Sequence, residues 1–329
     1  MKAFRCRVCD KPLHFENSRC VSCDSRLGFS RAERAIVPVD EKGRYVDAEG
    51  AEWFLCRNLT LSGCTWLTDN DGGQCFSCEL TRTRPHDDDA VGLANYPAAE
   101  RAKRHLVVEL DGLGFSVVSK VADPENGLTF DLLSSVEENV VIGHANGVIT
   151  IDLAESSAAH REKVREKLGE PYRTMLGHFR HEVGHYYEWQ LVREGELLER
   201  CRELFGDETV SYQGEIDRHY AEGPPEGWES SYISSYATMH PFEDFAETWA
   251  HYLHICDSIE TASEYGLTTV GTVTQFTNFH DVVVGIWMPL SVALNMINRS
   301  MGHEDLYPFV IPAAVLDKLD FVASLAGHD

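Results

Sequence analysis

Apolar residues recur at helical spacing through most of the second half of the chain. They predict helices over 156–168, 171–193, 196–205, 241–265, 281–299 and 312–326. Pro171, Pro241 and Pro312 each stand where the first turn of a helix tolerates a missing N–H. Ahead of them, β-like runs lie at 105–110 (HLVVEL), 128–133 (LTFDLL) and 148–153 (VITIDL), bounded by Gly, Asn, Asp and Pro. Strands followed by helices predict an α+β domain with a small sheet. The segment ELTRTRPHDDDAVG after Cys78 carries Pro85 and three consecutive aspartates, the composition of an exposed boundary. The chain therefore divides into a module over 1–85 and a larger domain over 95–329. The stretch 282–298 is free of charge for 17 residues but contains Pro289 and Asn295. It falls short of the roughly 20 apolar residues that span a bilayer, so it predicts a buried core helix.

Composition changes this picture in two ways. The chain of 329 residues has 29 basic and 53 acidic residues, a formal charge of −24, which repels phosphate backbones. A nucleic-acid partner or an anionic membrane surface is not expected. The N-terminal MKAFRCRVCD leads into no apolar run or small-residue cleavage site, so the expected location is the cytoplasm. In a reducing compartment cysteines favour metal over disulfides, and eight of the ten lie within the first 78 residues. Cys6, Cys9, Cys20 and Cys23 form two C-x2-C pairs, and two such knuckles complete a tetrahedral thiolate site. Cys56, Cys64, Cys75 and Cys78 supply one further pair and one split pair. Both quartets are read as structural, holding together a module too poor in aliphatics to fold alone. Zinc and iron both suit four thiolates. Cys201 and Cys256 fall on predicted helices and read as small core residues.

The second long helix contains His181-Glu182-Val183-Gly184-His185. Two histidines at i and i+4 lie one turn apart on one face and can hold one zinc, with Glu182 beside them to act on zinc-bound water. Leu176, Phe179, Val183 and Tyr186 form a separate apolar face for packing. A catalytic zinc takes a third protein ligand and keeps one position open. The run beginning at Pro241 offers Glu243 and Glu247, again i and i+4. Glu243 is favoured as the ligand and Glu247 as the residue that orients a ligand histidine. His178 would close the open position if it also bound metal, so it is assigned to packing or to support of the site. His240, His251 and His254 are read as hydrogen-bonded or surface residues.

HEVGH followed by EDFAE resembles the glutamate-zincin metallopeptidases, in particular the anthrax lethal factor type, over about residues 171–255. That resemblance implies a zincin-like catalytic domain, Glu243 as third ligand, and an oxyanion-stabilising tyrosine seven residues earlier. Tyr236 occupies that position, with Tyr232 of the same YISSY segment as the alternative. Over its whole length the sequence is similar to a bacterial family of zinc-binding metallopeptidases with an N-terminal zinc-ribbon module. The resemblance implies a metallopeptidase acting on a protein or peptide, with one catalytic and two structural zinc ions. The strand at 148–153 would run along the cleft and pair with an extended substrate. The 58-residue interval from His185 to Glu243 places an insertion around 223–228 as a lid or substrate-selecting loop. Two other readings remain: a zinc-ribbon adaptor with a zincin fold and little turnover, and a zinc hydrolase of a non-peptide amide.

Overall fold

Two turns of the same shape open the chain. In each, a C-x2-C pair is followed by an aspartate in the left-handed region, Asp10 and Asp24, both at φ 58°. Their N–H groups return to the carbonyls of Cys6 and Cys20, at 2.8 and 2.9 Å. Aspartate tolerates this conformation better than most residues. The structure is a computed structural model that describes residues 1–135, 140, 142–168, 172–268 and 278–327. The first part is built from short antiparallel pairs: β1 (Phe4–Arg5) with β2 (Pro12–Leu13), and β3 (Leu27–Ser30) with β4 (Ala35–Pro38). A meander of β5 (Arg44–Val46), β6 (Glu52–Leu55) and β7 (Leu67–Thr68) follows, with one-turn helices α1 (Leu59–Ser62) and α2 (Phe76–Glu79). Aromatic residues make the small core here, Phe29 lying 5.0 Å from Trp66 and 5.2 Å from Phe15.

Immediately after Cys78 the chain enters a separate four-stranded sheet through β8 (Thr81–Thr83). Then comes α3 (Ala90–Leu113), capped by Asp89, whose side chain accepts from Gly92 N–H. This helix corrects the strand expected at 105–110. Its buried face runs through Tyr96, Ala99, Glu100, Lys103, Arg104, Leu106, Val107 and Leu110 at helical spacing. Three of those residues are charged yet fully enclosed, so the apolar period is interrupted and the local HLVVEL run dominates the sequence signal. The sheet is completed by β9 (Thr129–Leu133), β10 (Gly143–Ala145) and β11 (Val148–Asp152), in the order β10-β11-β9-β8. β10 is antiparallel to β11, and the other pairs are parallel. The expected strands at 128–133 and 148–153 are thus present. β11, however, is paired on both sides and cannot receive a substrate; β10 is the outer strand.

The helices follow: α4 (Ala158–Leu168), α5 (Met175–Leu191), α6 (Gly195–Phe205), α7 (Tyr212–Glu222) and α8 (Pro241–Glu264). α9 (Phe279–Val282) passes through one π turn (Val283–Trp287) into α10 (Met288–Ser300), and α11 (Ala313–Ser324) ends the fold. The start expected at Pro171 lies outside the described residues, and Thr174 caps α5 by accepting from Gly177 N–H. The π turn accommodates Pro289, which has no N–H to return to the preceding turn. α5 packs against α8 through Phe179, Val183, Tyr187, Phe245 and Trp249, with Tyr187 stacked on Trp249 at 4.8 Å. The expected burial of 282–298 is corrected. Val282, Val283, Ile286, Trp287 and Leu290 pack inward, whereas Val284, Val292, Met296 and Ile297 are 44–61% exposed. Absence of charge marked an apolar stretch, but part of it forms an outward face. Among the described residues one helix, Phe279–Ser300, is long and apolar enough to cross a membrane, with 28% of its apolar window buried.

Candidate metal centre

α5 and α8 approach so closely that a Cβ on Gly184 would stand 3.1 Å from Ala246 Cα and 3.1 Å from Trp249 Cβ. That approach brings residues from both helices into one cluster. Metal-binding atoms of His181, His185 and Glu243 all lie within 4.8 Å of one another. His181 Nε2 is 3.0 Å from one Glu243 oxygen, and His185 Nε2 is 3.7 Å from the other. The opposite nitrogen of His181, Nδ1, is 2.9 Å from Glu247, whose second oxygen accepts from Ser234 Oγ at 2.7 Å. Such a contact fixes the ring so that Nε2 faces the cluster. Two imidazoles and a carboxylate around an open position are the donor set of a catalytic zinc site, so the residues present fit that ion.

Glu182 sits on the cleft side of α5, 5% exposed. One of its oxygens is 3.4 Å from His178 Nε2, and the other is buried without a hydrogen-bond partner. His178 therefore supports Glu182 and stands apart from the three-residue cluster. Tyr236 enters the site, its ring centroid 5.9 Å from that of His181. Burial, reinforced by Glu243, pushes its phenol well above the ordinary value, so it stays a donor. Tyr232 instead lies beneath the Lys318 ammonium, 4.4 Å from the ring centroid, and lines neither cavity at the cluster. The structure thus separates the two tyrosines. His240 caps α8, its Nδ1 accepting from Phe242 N–H while Nε2 meets the Val210 carbonyl at 3.2 Å. His251 Nδ1 meets the Tyr307 hydroxyl at 2.8 Å.

Two cavities meet at this cluster and share Ile142, His181, Glu182 and Tyr236. One, of about 290 Å³, extends past Tyr172, His178, His251 and Phe309. The other, of about 710 Å³, extends along β10 and past Glu188, Trp189, Phe205 and Phe242. The residues at 223–228 line neither; α7 reaches the cleft instead, through Tyr212 and Tyr220. The insertion expected to serve as a lid or substrate-selecting loop thus does not reach the cleft; α7, just before it, does. Sequence reasoning missed Tyr212, whose hydroxyl donates to Glu243 at 2.7 Å, as well as Ser234 and His144. No spacing signal marks them, because each arrives from a separate element. His144 on β10 is held near pKa 4 by burial and by the neighbouring His185.

The cysteines gather as the spacing predicts. Cys6, Cys9, Cys20 and Cys23 form one cluster, and Cys56, Cys64, Cys75 and Cys78 form another, wholly buried. Sulfur pairs lie 3.7 Å (Cys6 and Cys23), 3.6 Å (Cys9 and Cys20) and 3.5 Å (Cys64 and Cys75) apart. A tetrahedron with metal–sulfur bonds of about 2.3 Å has edges of about 3.8 Å, so both quartets are sized for zinc. The N–H groups of Asn58 and Cys75 point at Cys56 Sγ, as expected for a thiolate. Cys201 and Cys256 are buried singly in α6 and α8.

A family profile described as "Putative zinc-binding metallo-peptidase" matches residues 92–325, and a zinc-ribbon domain profile matches residues 3–89. Uncharacterized proteins of Mycobacterium tuberculosis and Mycobacterium bovis are 50% identical to the chain over 335 aligned positions. The alignment covers 100% of this chain and 96% of each relative. No solved structure matches the chain significantly.

Proposed function

The chain belongs to this family of zinc-binding metallo-peptidases, and we propose that it hydrolyses peptide bonds in the cleft between α5 and α8. The observation that carries this reading is the convergence of His181, His185 and Glu243 within 4.8 Å, beside a buried carboxylate oxygen of Glu182 that has no partner. His181, His185 and Glu243 would hold the zinc, and Glu247 would orient His181. The bound ion supplies Lewis acidity, polarising the scissile carbonyl and lowering the pKa of water toward about 7.

Glu182 then takes the proton of the attacking water and delivers it to the departing amine nitrogen. His178, 3.4 Å away, holds the carboxylate in place between those two transfers. Tyr236 donates its hydroxyl proton in a hydrogen bond to the developing oxyanion. An extended peptide would lie along β10, which borders the larger cavity and is paired only with β11 among the described residues, and would continue into the smaller one. Glu182→Gln, assayed with zinc bound against an unfolded protein, tests the reading. Cleavage should fall by about 10²–10⁴-fold. Undiminished cleavage would remove Glu182 from the chemistry, and none by the native zinc-loaded chain would favour an adaptor.

A further inference from the structure

Glu188 follows His185 by three residues on α5 and so lies on the same face, one turn further along the cleft. It is 7% exposed and lines the 710 Å³ cavity. Its Oε2 is buried with no hydrogen-bond partner. Leaving a buried carboxylate unpaired is costly, so such a group is either held neutral or kept for a cation that arrives. The arginine that lines the cavity and the one paired with Glu208 are both engaged elsewhere. Arg193 lies over the Trp189 ring and donates to the Trp189 carbonyl, Gln190 and Asn126. Arg202 is bound through two nitrogens to Glu208, which also lines the cavity. Burial pushes the Glu188 carboxyl well above its ordinary pKa, and the charges of Glu208, Glu243 and Asp244, all carboxylates, add to that.

Beside Glu188 the cavity carries an apolar wall of Trp189, Val192, Leu198, Phe205 and Phe242, with Arg193, Glu208 and Tyr212 among its polar lining. A carboxyl at depth behind an apolar wall matches a side chain with a methylene stem and a cationic head. We infer that this cavity is the substrate's specificity pocket and that Glu188 selects a lysine or arginine close to the cleaved bond. The inference rests on the peptidase reading for the word substrate, but the pocket can be tested by binding alone.

The zinc-loaded Glu182→Gln chain provides a non-cleaving host. Its affinity would be measured for two sets of alanine hexapeptides, carrying lysine or norleucine at each position in turn. At one position lysine should bind on the order of tenfold tighter or more than norleucine. Adding Glu188→Gln should bring that ratio to about one, and Glu188→Met repeats the comparison should the first double variant fail to fold. Equal binding of the two sets, or a preference that survives both Glu188 variants, overturns the pocket assignment. If the preference is present and depends on Glu188 while the native chain cleaves no peptide, the pocket stands and the peptidase reading fails.

Discussion

Glu243 faces the Nε2 atoms of both histidines, Glu247 holds the back of one, and Glu182 touches neither through a short contact. Glu243→Ala should therefore lose zinc affinity steeply and activity with it. Glu247→Ala should weaken metal binding or turnover by roughly 10–100-fold, with zinc still bound when in excess. Glu182→Gln should keep its zinc while turnover falls. Zinc stoichiometry beside peptide turnover, at matched metal, separates the three; a Glu243→Ala chain that keeps zinc while Glu247→Ala loses it would reverse the two roles. A second residue-scale expectation concerns acid. Burial, with Arg180 nearby, lowers His254 to about 3, against about 6.5 in an unfolded chain. The unfolded state binds the extra proton between those values, so this stability is present above pH 6.5 and lost as pH falls toward 3. His254→Phe should retain the ring contacts to Tyr172, Trp287 and Tyr307. It should lose less stability than the parent between pH 7 and pH 5, by up to about 2 kcal/mol, in denaturant titrations.

At the scale of elements, the contact of α5 with α8 decides whether a metal centre exists, because the histidines come from one helix and Glu243 from the other. Gly184→Ala adds a methyl where Ala246 and Trp249 leave no room. Better helix propensity would offset about 1 kcal/mol, but crowding costs about 1–3 kcal/mol and parts the helices. A lower denaturant midpoint together with weaker zinc binding is the expected result; unchanged zinc affinity would show that the helices can slide without opening the site. α5 and α8 were legible in the sequence because each combines an apolar period with a chemical signature, HEVGH and EDFAE. α3 was not, since Glu100, Lys103 and Arg104 occupy its inner face, where Lys103 pairs with Glu100 at 2.7 Å and Arg104 with Glu16 of the Cys-rich part. β10 was invisible for a different reason: three residues carry no period, and its pairing with β11 is set by the turn at Asn146 and Gly147, both at positive φ. The partners of Glu243 and Glu247 on α7 and near Ser234 depend on tertiary packing that no local pattern records.

For the whole molecule, the Cys-rich part is bonded to the rest through buried and half-buried contacts. Arg104 pairs with Glu16, Arg31 meets Asp111 at 2.7 Å, and the Phe15 ring stands 6.2 Å from His105. A module over 1–85 held together by its own metals would, if independent, unravel alone when Cys6 or Cys23 is replaced. With these contacts, Cys6→Ser should instead lower the stability of the whole chain, and circular dichroism at helical wavelengths should move with the loss of one metal. Helix content unchanged through that loss would restore independence. Elemental analysis of the native chain should return three metals. The two thiolate clusters are also unequally shielded: Cys9 and Cys23 are half-buried, whereas Cys56, Cys64, Cys75 and Cys78 are enclosed beside α3. Oxidative damage follows access to sulfur. Peroxide reaching the protein would thus meet the sulfurs of the outer knuckles before the thiolates from which β8 and α3 are hung.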